Sequence, residues 1–383
     1  MALHFSSDEF ATRMRGLCAA MRQRDLDAML LFRQESMYWL TGFDTFGFVF
    51  FQSLVVTADG GMVLLTRAPD LRQAQNTSII DDIRIWVDRD GATPADDLRE
   101  ILRGLGLSDG RIGVEYEAYG LTGRNALRVN AALDGFARLQ DESELISRLR
   151  LVKSPAEMDC LRRAGELADA ALQAGLPLIH GGGDEAAILA AMQGAVLAGG
   201  GDYPANEFVI GSGPDALLCR YFSGRRMLDA RDQLTIEWAG AYRHYHAAMM
   251  RTFPVGRASR AHRDMHAACT EALEASIDAF RPGNAVGAVF DAQAAVLDWH
   301  GYAGSRLNAC GYAMGATFAP NWMDWPMFYA GNPVELAPGM AFFFHMIVMD
   351  SASGEAMTLG ESLLLTETGP ERLSRASRDL HVG

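Results

Sequence analysis

The chain has 383 residues, about half of them apolar, with a formal net charge of −14. That length suits two domains, and the acidity, with no Lys/Arg cluster, argues against a nucleic-acid partner. No apolar run is long enough to span a membrane, and the N-terminus lacks a basic patch followed by an apolar stretch, so no secretory signal is expected.

The five cysteines, at 18, 160, 219, 269 and 310, are scattered without a CxxC pair. Such a set reads as reduced thiols in a cytoplasmic protein.

In chain order, the region up to about residue 140 mixes helix and strand patterns. Ser7 to Arg24 is amphipathic behind a cap-like Ser-Ser-Asp, and Ala28 to Phe32 is a short apolar strand. Phe48 to Thr57 and Gly61 to Thr66 read as a hairpin, Ile83 to Val87 and Arg111 to Val114 as strands, and Asp96 to Gly106 as a helix. The alternation predicts an α/β domain over 1–145.

From 146 to 383 the pattern changes. Ser154-Pro155-Ala156-Glu157 is a capping box with Pro at the first helical position, opening a helix to about Ala174. Helices follow from Asp184 to before Gly199, from Ala258 to Phe280 and from Val286 to His300. Strands are expected at Glu207 to Gly211, Gln233 to Ala239, Tyr245 to Phe253, Met340 to Met349 and Ser362 to Thr368. Helices on one side of a largely antiparallel sheet make an α+β domain.

Several stretches then take on meaning together: Leu149-Arg150-Leu151-Val152-Lys153-Ser154, Arg251-Thr252-Phe253, Arg281-Pro282-Gly283, Pro338-Gly339-Met340 and Leu365-Thr366-Glu367-Thr368-Gly369. Their order and spacing resemble the creatinase/aminopeptidase P family. The resemblance implies a creatinase-type N-terminal domain followed by a pita-bread catalytic domain, and a homodimer. Within the family, Gly201-Asp202-Tyr203-Pro204, the run Glu237 to His246, and Gly311-Tyr312 are most similar to ectoine hydrolase; creatinase shares the metal-free logic.

The family's metallopeptidases hold two metal ions with five side chains. The resemblance places these at Glu237, Ala248, Tyr312, His345 and Glu361. Ala248 has no donor atom, and a tyrosine, with an ordinary pKa of about 10, is a poor ligand unless deprotonated. No metal and no cofactor are therefore expected. A mononuclear set of Glu237, His345 and Glu361 is the alternative.

Strand alternation puts His244, His246 and Ala248 on one face. His246 then points into the same cavity as Glu237, with His345 and Glu361 entering from neighbouring strands. Two close buried carboxylates cannot both ionise cheaply, so one becomes an acid beside a charged base. Glu237, Glu361, His246, His345 and Tyr312 are the candidate catalytic residues. Arg220 is a bidentate fork for a substrate carboxylate, and Tyr242, Trp39 and Trp322 are candidate walls for its cationic end.

This reading gives a metal-independent hydrolase acting on a C–N bond of a small zwitterionic amidine, guanidine or amide. The alternatives are a lyase acting on a small zwitterion such as dimethylsulfoniopropionate, and a non-catalytic binding module.

Overall fold

The computed structural model describes residues 3–220 and 224–383. The chain divides into two compact units, Met1–Arg150 and Leu151–Gly383.

The first unit is built from α1 (Ser7–Gln23), β1 (Ala28–Leu31), α2 (Gln34–Thr41), β2 (Ser53–Thr57), β3 (Met62–Arg67), α3 (Leu71–Thr77), β4 (Ile83–Trp86), α4 (Pro94–Gly104), β5 (Arg111–Val114), α5 (Gly123–Leu133) and β6 (Arg138–Asp141). The sheet order is β4-β3-β2-β1-β5-β6. β2 pairs antiparallel with β1 and β3; β3–β4, β1–β5 and β5–β6 are parallel.

Side chains alternate across β1, so Leu30 joins a core with Leu98 of α4 and Val129 of α5, while Met29 and Leu31 join another with Leu17 of α1 and Met37 of α2. Apolar layers on both faces explain why β1 reads as a continuous apolar run.

α6 (Leu145–Leu151) carries the chain across the division, and the second unit continues with α7 (Pro155–Gly175), α8 (Glu185–Ala198), β7 (Val209–Ser212), β8 (Asp232–Tyr242), β9 (Tyr245–Val255), α9 (Arg260–Ala279), α10 (Val286–Trp299), β10 (Gly311–Ala313), β11 (Asp324–Met327), β12 (Ala341–Asp350), β13 (Glu355–Thr366) and β14 (Gly369–Arg372). The capping box at Ser154 and Glu157 forms as expected.

The sheet order is β11-β10-β12-β13-β9-β8-β7, with β14 on β13, and every pairing is antiparallel. One face is packed with apolar side chains from α9 and α10, which meet Phe342, Phe344, Met346, Leu359 and Leu363. Trp238 of β8 anchors α7 on that same face, its indole donating to the Ala168 carbonyl at 2.9 Å.

β13 is longer than its sequence suggests. The expected strand begins at Ser362, but pairing with β12 begins at Glu355 and includes Gly360. A glycine in mid-strand hides the alternation, and here it marks a close approach. A Cβ on Gly360 would lie 2.7 Å from the Phe343 ring.

Candidate active site

Register decides which side chains meet. Glu237 on β8 is opposite Met250 on β9, Met250 is opposite Gly360 on β13, and Gly360 is opposite His345 on β12. Directly opposed residues of an antiparallel sheet project to the same face. These four therefore share the face turned away from α9 and α10. Phe343, two residues before His345, brings its partner Tyr312 of β10 to that face as well. Between Glu237 and His345 stand only a methionine and a residue without a side chain, which leaves room for Tyr312 to reach across.

Tyr312 is the hub. Trp322 Nε1 lies 2.8 Å from its hydroxyl oxygen, and that oxygen lies 3.0 Å from Glu237 Oε1. An indole N–H can only donate, so the phenol accepts from Trp322 and its single proton goes to Glu237. The rings of Tyr312, Phe343 and His345 are mutual neighbours, with centroids 5.4, 5.6 and 5.8 Å apart. Burial and the adjacent carboxylate push the Tyr312 hydroxyl well above its ordinary pKa, so it stays protonated.

Glu237 is half-buried. Desolvation raises its pKa to about 7, partly opposed by the Tyr312 hydrogen bond and by Arg220. His345 is buried and has no hydrogen-bond partner for Nδ1 among the described residues. Desolvation lowers its pKa to about 4. At neutral pH the site thus pairs a carboxyl group near its midpoint with a neutral imidazole.

Arg220 is exposed, yet its charge is felt by Glu237, Tyr312 and His345 alike. The structure brings together Glu237, Tyr312, His345, Trp322 and Arg220.

Glu361 is not part of this group, which corrects the expectation of a carboxylate pair. Its opposite number is Phe344, so it projects to the helix-facing side. There it is fully buried and held by Arg372 at 2.9 Å and by Arg378, with Arg251 nearby. The β13 position that faces the site is Gly360. A metal set of Glu237, His345 and Glu361 is therefore also excluded, because the three do not share a face.

His246 does share the site face, but both ring nitrogens are occupied. Nε2 accepts from the Ala205 N–H at 2.9 Å, so the proton sits on Nδ1 and goes to Thr317 Oγ1 at 3.1 Å. Burial lowers its pKa to about 3. His246 staples two loops together instead of offering an acid or base.

Tyr242 has the opposite parity and stands across from Tyr245, whose hydroxyl donates to Glu157 of α7. Arg243 covers its ring, 5.4 Å from the centroid. Trp39 is a core residue of the first unit, 5 % exposed, with the Arg13 guanidinium 5.2 Å from its ring. Neither serves as an open wall for a ligand. Trp322 is 1 % exposed, so it acts on Tyr312 and not directly on a bound molecule.

Sequence reasoning missed Phe343, Gly360, Asn206 and Thr317. Only Gly360 carried a signal, as a glycine inside an otherwise apolar strand.

The positions assigned to metal ligands can now be tested as a donor set. Ala248 supplies no donor atom, Glu361 is turned to the other face, and the Tyr312 oxygen is engaged by Trp322 with its proton held on Glu237. Among the described residues no group of three His, Cys, Asp or Glu is disposed to hold a metal ion. These residues do not fit a dinuclear centre, which needs several carboxylates for two cations.

Residues 159–367 match the model of metallopeptidase family M24, and residues 13–152 that of the creatinase/prolidase N-terminal domain. Among characterised sequences, the chain is 28 % identical to ectoine hydrolase of Halomonas elongata, over 100 % of this chain and 99 % of that one. It is 23 % identical to an Xaa-Pro dipeptidase of Pyrococcus furiosus, over 62 % of this chain and 67 % of the other. Dipeptidase PepE from Mycobacterium ulcerans superposes with a TM-score of 0.85 at 25 % identity, covering 99 % of both chains.

Proposed function

The chain belongs to metallopeptidase family M24, and from that premise we propose that it is a hydrolase that cleaves a C–N bond of a small zwitterionic amidine, guanidine or amide without using a metal ion. The observation that carries the reading is Glu237. It is a lone acid near its midpoint, hydrogen-bonded by Tyr312 and neighboured by a neutral His345, on a face where Ala248 supplies no donor atom and from which Glu361 is turned away. Full-length similarity to ectoine hydrolase supports the choice of a small non-peptide substrate.

Each group has a task in this mechanism. The substrate's cationic amidine or guanidine docks beside Glu237, whose ionised form is only partly compensated by the Tyr312 hydrogen bond and Arg220. Arg220 takes the substrate carboxylate at the mouth. The unpartnered His345 Nδ1 is the polar group left for a substrate N–H or for the attacking water.

Glu237 removes a proton as water adds to the electron-poor carbon, forming the C–O bond. The same carboxyl group then returns that proton to the departing nitrogen as the C–N bond breaks. A pKa near 7 suits both halves of this cycle, because neither protonation state is costly to reach. With Glu361 on the other face, one carboxyl group serves as base and acid in turn.

The test is a substrate panel run with EDTA and, separately, with added manganese or cobalt. Cyclic amidine carboxylates such as ectoine, creatine, N-acyl amino acids and Xaa-Pro dipeptides are followed by NMR. Turnover of a zwitterionic amidine, guanidine or amide in EDTA is the expected result. Activity confined to Xaa-Pro dipeptides and dependent on added metal would overturn the reading.

A further inference from the structure

Trp322 is almost wholly buried and lies in a loop pinned at two further points. Its backbone N–H donates to Asn206 Oδ1 at 3.1 Å, and Phe208 packs edge-on to its indole with centroids 6.4 Å apart. His246 ties the same two loops together through Ala205 and Thr317. Two contacts from residues outside the strands, Asn206 on the backbone and Phe208 on the ring, thus hold Trp322, and the only polar atom of its indole meets the Tyr312 oxygen.

We propose that Trp322 is a positioning residue that locks the Tyr312 hydroxyl proton onto Glu237 Oε1. A phenol with a free oxygen rotates its O–H between acceptors. With the indole N–H on that oxygen, the hydroxyl has one low-energy orientation, and the donor to Glu237 is polarised by the bond behind it. Oε1 is then occupied at every stage, so Oε2, which has no partner among the described residues, is the oxygen presented to water and substrate. The charged and titratable groups around the pair are His345 on β12, and Arg220 and Cys219 from the stretch before residue 221. From β9, Met250 stands opposite Glu237, and His246 lies further along the same face with its ring 6.3 Å from that of Trp322.

This inference rests on Glu237 being the working carboxyl group, so its test includes a readout independent of turnover. Infrared difference spectra between wild type and Glu237→Gln isolate the Glu237 carboxyl bands. The same subtraction is made in Trp322→Phe and Tyr312→Phe backgrounds. The bands are expected to shift in Tyr312→Phe and in the same direction, by less, in Trp322→Phe. With a turned-over substrate, kcat of Trp322→Phe falls roughly 10-fold, the scale of one hydrogen bond, while KM stays within about 2-fold because the indole does not touch the ligand.

If Trp322→Phe does not fold, the nitrogen-15 indole resonance of Trp322 serves instead, since it must move when Tyr312→Phe removes its acceptor. Glu237 bands in Trp322→Phe identical to wild type, or an indole resonance unmoved by Tyr312→Phe, would overturn the lock. Shifted bands in a protein that hydrolyses no member of the panel would sink the proposed function and leave the lock standing.

Discussion

Replacing Glu237 by glutamine tests the central electrostatic claim without any substrate. In the folded protein the Glu237 pKa rises from 4.5 to about 7 because the carboxylate is desolvated. A group with a raised folded pKa stabilises fully below its unfolded pKa, and that contribution is lost as pH climbs to the folded value. The window is therefore pH 4.5 to about 7. A shift of this size is worth about 3 kcal/mol at 1.36 kcal/mol per unit, reduced to about 2 by the solvent that reaches the half-buried group.

Glutamine removes the ionisation but can still accept from Tyr312. The Glu237→Gln protein should match wild type near pH 4.5 and exceed it by about 2 kcal/mol above pH 7, while losing turnover. His345 and His246, whose pKa values are lowered to about 4 and about 3, act with the opposite sign. They destabilise as pH falls below their unfolded value, but both proteins contain them, so the difference between the two curves isolates Glu237. The assay is denaturant unfolding of both proteins from pH 4.5 to 8.5. Parallel stability curves would refute the claim that Glu237 is held near neutrality by burial.

Four further outcomes are expected. Activity should rise with pH through about 7 as the Glu237 carboxylate forms, and a kcat/KM profile flat from pH 5.5 to 8 would exclude it as the base. His345→Gln should lower kcat about 10-fold, the scale of one hydrogen bond to substrate or water, which steady-state kinetics would read directly. Arg220→Ala should raise KM for carboxylate-bearing substrates about 10–100-fold, the scale of a charge-assisted hydrogen bond, and leave the corresponding amides unaffected. Glu361→Gln should cost about 1–3 kcal/mol, since two charge-assisted hydrogen bonds are weakened while Arg372 and Arg378 keep contact with solvent, yet the folded fraction should keep its kcat, as active-site titration of partly unfolded samples would show.

The two-domain plan was legible because it is carried by helix caps and apolar runs, such as the box at Ser154 and the buried strands β1 and β12. Glu237, Tyr312 and His345 could be singled out only through the family resemblance, carried by neighbours such as Gly311 and Pro338-Gly339-Met340; the short strand β10 that presents Tyr312 has no strand signal of its own. Glu361 was expected on the site face, but it sits one residue from Gly360, the β13 position that faces the site. In a strand that is enough to send a side chain to the opposite face, and its partners Arg372 and Arg378 lie further along the chain, where no local pattern announces them.

His246 had the right parity but the wrong role, since its partners Ala205 and Thr317 come from loops on either side. Tyr242 and Trp39 were chosen for residue type, which says nothing of which way a side chain faces. The hydrogen bond from Trp322 to Tyr312 joins a loop to a strand and leaves no mark in the spacing.

Gly360 and Phe343 constrain how this chain can change. An acidic side chain at 360 would add a donor beside Glu237 and His345, but its first carbon would fall 2.7 Å from the Phe343 ring. The bulky ring would have to shrink first, and doing so alone opens a void that costs about 3–5 kcal/mol. Either single substitution is thus unfavourable before the other is made. The pair forms a valley between two chemistries, so small mutational steps will tend to refine the present site and not convert it.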